Sequence, residues 1–148
     1  MRRYLSHLLI GSVALSGCDF TAGVSRVYRL DEVPLPACVE GTLRSIPGVT
    51  DVKYALDEVN RRPLHRFSYE AEGAKIRIDI EEKRLRPEYF HFYETLNSVP
   101  PEKLVARLRP VMAHVDEALE RECVMRGLSS GAKEYCSRGL FRAKDCEP

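Results

Sequence analysis

The sequence predicts a two-layer α+β domain, in which a four-stranded antiparallel sheet carries two helices on one face and disulfides staple the layers. Three observations lead there. Segments with a period-two apolar pattern lie between two segments of helical periodicity; one pair of strands aligns on both of its faces in a single register; and a cysteine falls on or beside the apolar stripe of each helix. The order helix, strand, hairpin, strand, helix is that of an antiparallel sheet backed by helices.

From Leu35 to Ile46 the apolar positions Val39, Leu43 and Ile46 recur at helical spacing, with Cys38 and Thr42 beside them. Pro36 suits a first helical turn, and Pro47-Gly48 ends the helix. The stretch from Ala37 to Val52, with Cys38, Gly48 and Val49, resembles in outline the first helix and second strand of heavy-metal-associated domains. Those domains hold metal with two cysteines two residues apart, whereas Leu35 stands here at the matching position. The resemblance therefore implies an α+β shape and no metal site.

Val52, Tyr54 and Leu56 alternate with Asp51, Lys53, Ala55 and Asp57, the period of a half-buried strand, and 60–63 reads as a loop. If Glu72-Gly73 forms a two-residue turn, Tyr69 faces Ile76, Phe67 faces Ile78 and His65 faces Ile80 on the inner face. In the same register Glu70 faces Lys75, Ser68 faces Arg77 and Arg66 faces Asp79 on the outer face. Each such pair contributes about 0.2–1 kcal/mol, and a slip of one residue would put the isoleucines in water.

After a polar turn over 83–87, residues Glu88 to Leu96 form a strand that is aromatic on both faces. Only one of these faces can join a two-layer core, and the expectation takes Phe90 and Phe92 to be on the core side, the reverse assignment being the alternative. Tyr89, His91 and Tyr93 then occupy the open face beside Arg66, Arg77 and Asp79. Pro100-Pro101-Glu102 opens a long helix whose stripe runs through Leu104, Leu108, Met112, Val115, Leu119 and Cys123, with a kink expected at Pro110 in its first third and Gly127 as terminator. The remaining tail is too short for a core of its own.

At the N-terminus, Arg2 and Arg3 precede an apolar run from Tyr4 to Leu15 and the small residues Ser16 and Gly17. That is the pattern of a secretory signal peptide over 1–17; a bilayer-spanning helix needs about 20 apolar residues. Leu15, Ser16, Gly17 and Cys18 resemble the lipobox of bacterial lipoproteins. The resemblance implies cleavage before Cys18, a diacylglyceryl group on its thiol and a further acyl chain, palmitate in kind, on the new N-terminus. Each buried methylene contributes about 0.8 kcal/mol, so several chains hold the protein on a membrane. Asp19, next in order, resembles the retention signal that keeps enterobacterial lipoproteins in the inner membrane. Residues 18–33 are expected to be a lipidated tether and 34–148 a single domain in the periplasm.

Cleavage would remove two of the 23 basic residues and none of the 22 acidic ones, leaving a mature chain of net charge about minus one. A near-neutral surface of mixed sign carries no electrostatic footprint for nucleic acid. With Cys18 committed to lipid, Cys38, Cys123, Cys136 and Cys146 remain, and an oxidising compartment favours two disulfides. Three pairings are possible. Cys38 with Cys123 and Cys136 with Cys146 is preferred, because the first two lie at the buried faces of the two helices.

No nucleophile elbow, zinc-protease helix, phosphate loop or dinucleotide fingerprint occurs, and no cofactor is implied. The composition of the row Tyr89, His91, Tyr93 with Arg66 and Arg77 is that of a protein-binding hot spot. The expectation is a non-enzymatic, lipid-anchored module that engages an envelope protein, as an assembly factor, inhibitor or immunity-type protein. The alternative is a small periplasmic enzyme using His65 or His91 with Asp79, which requires those side chains to converge. Metal or thiol handling is the third reading and requires free cysteines.

Overall fold

The computed structural model describes residues 21–96, 101–138 and 143–145. The elements in chain order are β1 (Thr21–Arg29), α1 (Pro36–Ser45), β2 (Thr50–Val59), β3 (Arg62–Ala71), β4 (Ala74–Glu81), β5 (Glu88–Leu96), α2 (Pro101–Glu122), α3 (Leu128–Gly131), β6 (Lys133–Arg138) and β7 (Ala143–Asp145). All strand pairings are antiparallel, in the order β2-β3-β4-β5-β1-β6-β7. The fold is α+β as the periodicity predicts, but the sheet is larger than four strands. Among the described residues it has six strands of six residues or more and a three-residue seventh.

The expected four strands are β2 to β5, and they lie side by side in sequence order. The β3–β4 hairpin has the predicted register at every position, from Ala71 opposite Ala74 to His65 opposite Ile80. Glu72 and Gly73 both take positive φ in its turn, 53° and 71°. The expected loop over 60–63 is a second two-residue turn. Asn60 and Arg61 are left-handed there, with φ of 52° and 61°, so that β3 begins at Arg62 and Val59 pairs with it.

The extra strands come from the two ends of the chain. Thr21–Arg29, within the expected tether, is an interior strand bonded to β5 on one side and β6 on the other. Its inward positions are Val24, Arg26 and Tyr28, and the charge in the middle interrupts the apolar alternation that marks the other strands. The tail likewise adds β6 and β7 to the sheet in place of a loose end.

The three helices among the described residues lie on one face. Val39, Leu43 and Ile46 of α1 and Leu108, Met112, Val115 and Leu119 of α2 are buried with Phe67, Tyr69, Ile76, Ile78 and Ile80 in one core. α2 runs unbroken through Pro110. α3 sits on Tyr28 so closely that a Cβ on Gly127 would lie 2.5 Å from the Tyr28 hydroxyl, and Gly127 is left-handed besides, with φ 75°. Cys38 and Cys123 form a disulfide, Cα atoms 5.8 Å apart, joining α1 to the end of α2. Cys136 lies in β6 opposite Val24, but Cys146 and with it the expected bridge, the signal peptide and Cys18 lie outside the described residues.

Candidate functional site

The two faces of β5 carry the chemistry of the molecule, and they are the reverse of the expected assignment. Tyr89 and His91 are fully buried and Tyr93 nearly so, all beneath the helices, whereas Phe90 and Phe92 are half-buried on the open face. The reason is register. Ile78 stands opposite His91 and Ile80 opposite Tyr89, so the face that buries the β4 isoleucines also buries the Tyr/His row. Arg66 and Arg77 lie on the open face as expected, but the row they were to join lies on the other side of the sheet.

Burial of that row is made favourable by Asp116, on the inward face of α2. Its side chain is entirely buried. One carboxylate oxygen accepts from the Tyr89 hydroxyl at 2.6 Å and from His91 Nδ1 at 2.8 Å; the other accepts from Arg26 Nε at 2.6 Å. His91 Nε2 lies 2.6 Å from the Tyr69 hydroxyl. Arg26 extends outward to Glu134 of β6 at 3.0 Å, and Glu134 also meets Arg109 of α2 at 2.5 Å. An unpaired buried carboxylate would cost several kcal/mol, so the three donors decide whether Asp116 is tolerable there. Burial alone would raise its pKa. The imidazole of His91, the Tyr89 hydroxyl and the Arg26 guanidinium offset that and hold the carboxyl below its ordinary range. Burial, and then the charge of Asp116, push the hydroxyls of Tyr69 and Tyr89 well above the usual phenol value.

Sequence reasoning missed both charges of this cluster, and each had a signal. Asp116 occupies a position of the α2 stripe, four residues after Met112 and three before Leu119. Arg26 alternates with Val24 and Tyr28. A charge placed on a buried stripe asks for its partner elsewhere in the chain.

The Asp116–His91–Tyr69 chain has the connectivity of a proton relay, but neither His91 nor Tyr69 is accessible, so no substrate atom can reach them in this arrangement. The constellation proposed for an enzyme is not assembled either. His65 and His91 project toward the helices and Asp79 toward the open face. His65 is held by the Tyr54 hydroxyl at 3.0 Å and by Glu82 at 2.8 Å. Asp79 is buried between Arg66 at 3.2 Å and Arg77 at 3.3 Å.

No helix among the described residues packs on the open face. Asp57, Arg66, Asp79 and Arg77 form a ladder across β2, β3 and β4, with Arg66 also 2.5 Å from Asp57. The ladder ends on β5, where the Arg77 guanidinium lies 4.3 Å from the Phe92 ring centre and Lys83 is 5.8 Å from that of Phe90. Val27 stands beside Phe90 and Ser25 beside Phe92, with Tyr135 beyond Ser25. This half-buried aromatic and arginine strip, in the middle of a sheet face that no helix among the described residues covers, is the candidate site. No protein-family model matches the chain, and no curated protein matches it in sequence.

Proposed function

We propose that the chain is a bacterial envelope lipoprotein, anchored through Cys18 and facing the periplasm, that binds a protein partner on the open face of its sheet. The observation that carries the reading is the strip Phe90, Phe92, Arg77 and Arg66 on a face that no described helix covers. Aromatic and arginine side chains concentrate binding energy when a partner removes them from water. The ladder to Asp79 and Asp57 holds both arginines in place beforehand, which lowers the entropy lost on association. Anchoring rests on the lipobox resemblance at 15–18. The inner membrane is the proposed location, from Asp19.

A photoreactive phenylalanine analogue tests the face directly. At position 92 it is expected to yield a protein adduct in intact cells, and at the exposed helix position 117 none. Adducts at both positions or at neither would overturn the open face as the binding surface. In the same cells labelled palmitate is expected on the wild-type chain and absent from Cys18→Ser.

A further inference from the structure

β2 lies at one end of the sheet order, and among the described residues its outer edge has no partner. Ten residues long, it exposes Leu56 at 61% and Val59 at 38%. Sheet proteins usually blunt such an edge with charges or bulges. Here the irregularity is confined to Thr50–Lys53, which leaves Tyr54 to Val59 in unbroken register with β3.

The tight turn at Asn60–Arg61 sets the phase of the hydrogen bonds. The pair closing a two-residue hairpin turn exchanges both bonds, so Val59, and with it Asp57, Ala55 and Lys53, direct their amides toward β3. Tyr54, Leu56 and Glu58 direct theirs to the free edge. Only these even-numbered positions are available to an added strand.

We propose that β2 pairs antiparallel with β2 of a second copy of this chain, about a two-fold axis at Ala55, joining the two sheets edge to edge. In that register Tyr54 and Leu56 form the hydrogen-bonded pairs, and each exposed Leu56 packs beside the partner's Tyr54 on the helix side. On the other side Lys53 faces Asp57 twice, once in each direction. Both reach solvent, their side chains being 66% and 41% exposed, and each has an intramolecular partner on the same face, Lys53 with Asp51 and Asp57 with Arg66, which the added strand would share. The neighbouring registers allowed by the same phase lack this match. Centring on Leu56 sets Asp57 against Ala55, centring on Tyr54 sets Asp51 against Asp57, and centring on Asp57 sets that carboxylate against itself. The charge pattern is thus complementary to its own reverse, which is what an isologous interface requires.

The test is the oligomeric state of the detergent-extracted full-length chain by sedimentation velocity, with a covalent trap for register. Residues opposite each other in a pair of the non-hydrogen-bonded type have Cα atoms about 4.5 Å apart, within disulfide reach. Ala55→Cys is expected to give a covalent dimer on mild oxidation, over the wild-type background, and Lys53→Cys none. Lys53→Asp or Asp57→Lys alone is expected to weaken the dimer about tenfold, two cross-strand ion pairs being lost, and the double exchange to restore it. Leu56→Asp, on an exposed side chain, should leave the far-ultraviolet spectrum unchanged and the chain monomeric. A wild-type chain that is monomeric at all concentrations, a dimer indifferent to Leu56→Asp, or equal trapping at 53 and 55 would overturn the proposal.

Discussion

At the scale of the residue, Asp116 is the position on which most depends. It joins α2 to β1 through Arg26 and to β5 through Tyr89 and His91, so its loss strands three polar groups at once. Breaking a buried pair from one side costs about 3–5 kcal/mol, more than a typical core truncation at a site that can relax. Asp116→Ala is therefore expected to lower the unfolding free energy by that amount, read from denaturant midpoints. The pH dependence follows from the same group and its neighbours. A carboxyl whose folded pKa is depressed stabilises above its unfolded value, about 3.9, and that contribution is lost as pH falls through the folded value. The raised tyrosines act in the opposite sense. Their contribution is complete below about pH 10 and is lost as pH rises from there toward their folded values. These groups thus take stability away at the two extremes, on the acid side as pH falls through the folded carboxyl value and on the alkaline side above about pH 10. Tyr69→Phe should flatten the alkaline limb and leave the acid limb; an unchanged alkaline limb would show that Tyr69 does not set it.

At the scale of the element, legibility tracked how far a segment's pattern was decided by its own neighbours. The β3–β4 hairpin was readable pair by pair, because both faces of the ribbon had to agree in one register. β5 was not: both its faces are aromatic, and only its pairing with Ile78 and Ile80 and the carboxylate waiting on α2 select the Tyr/His side for burial. Hydropathy favours Phe inside, yet a buried Tyr or His with a satisfied polar end loses little by comparison. The first helix has the expected extent, whereas α2 ends at Glu122, short of the expected terminator Gly127, which instead caps the additional helix α3; the cysteines of α1 and the end of α2 are linked as expected. That link spans 85 residues of sequence, and closing such a loop limits the unfolded chain by about 4.5 kcal/mol in the chain-entropy model. Cys38→Ser with Cys123→Ser is accordingly expected to shift the denaturation midpoint down by that order. Reducing agent should lower the wild type by at least as much, and the double variant only by what the expected Cys136–Cys146 bridge contributes.

At the scale of the whole molecule, the sheet is completed by segments that looked like its margins. A strand with a charge at its centre, such as β1, is silent to a search for alternation, since Arg26 becomes a core residue only once Asp116 and Glu134 surround it. The consequence reaches the proposed anchor. With the sheet beginning at Thr21, only two residues separate it from Cys18, so a lipid there would hold this end of the sheet within on the order of 10 Å of the bilayer. A tether of 18–33 would have allowed roughly 50 Å. The two arrangements differ in what the segment does for folding. A tether is dispensable, whereas β1 bonds along its length to β5 and carries the only described connection of β6 to the rest of the sheet. Deleting 21–29 removes Val24 from the core, takes Arg26 from Asp116 and leaves β5 with a free edge. The expected outcome is a chain without near-ultraviolet aromatic dichroism that limited proteolysis degrades throughout. A deletion variant as resistant as the full chain would mean that 21–29 is a tether after all and that Asp116 finds its countercharge elsewhere.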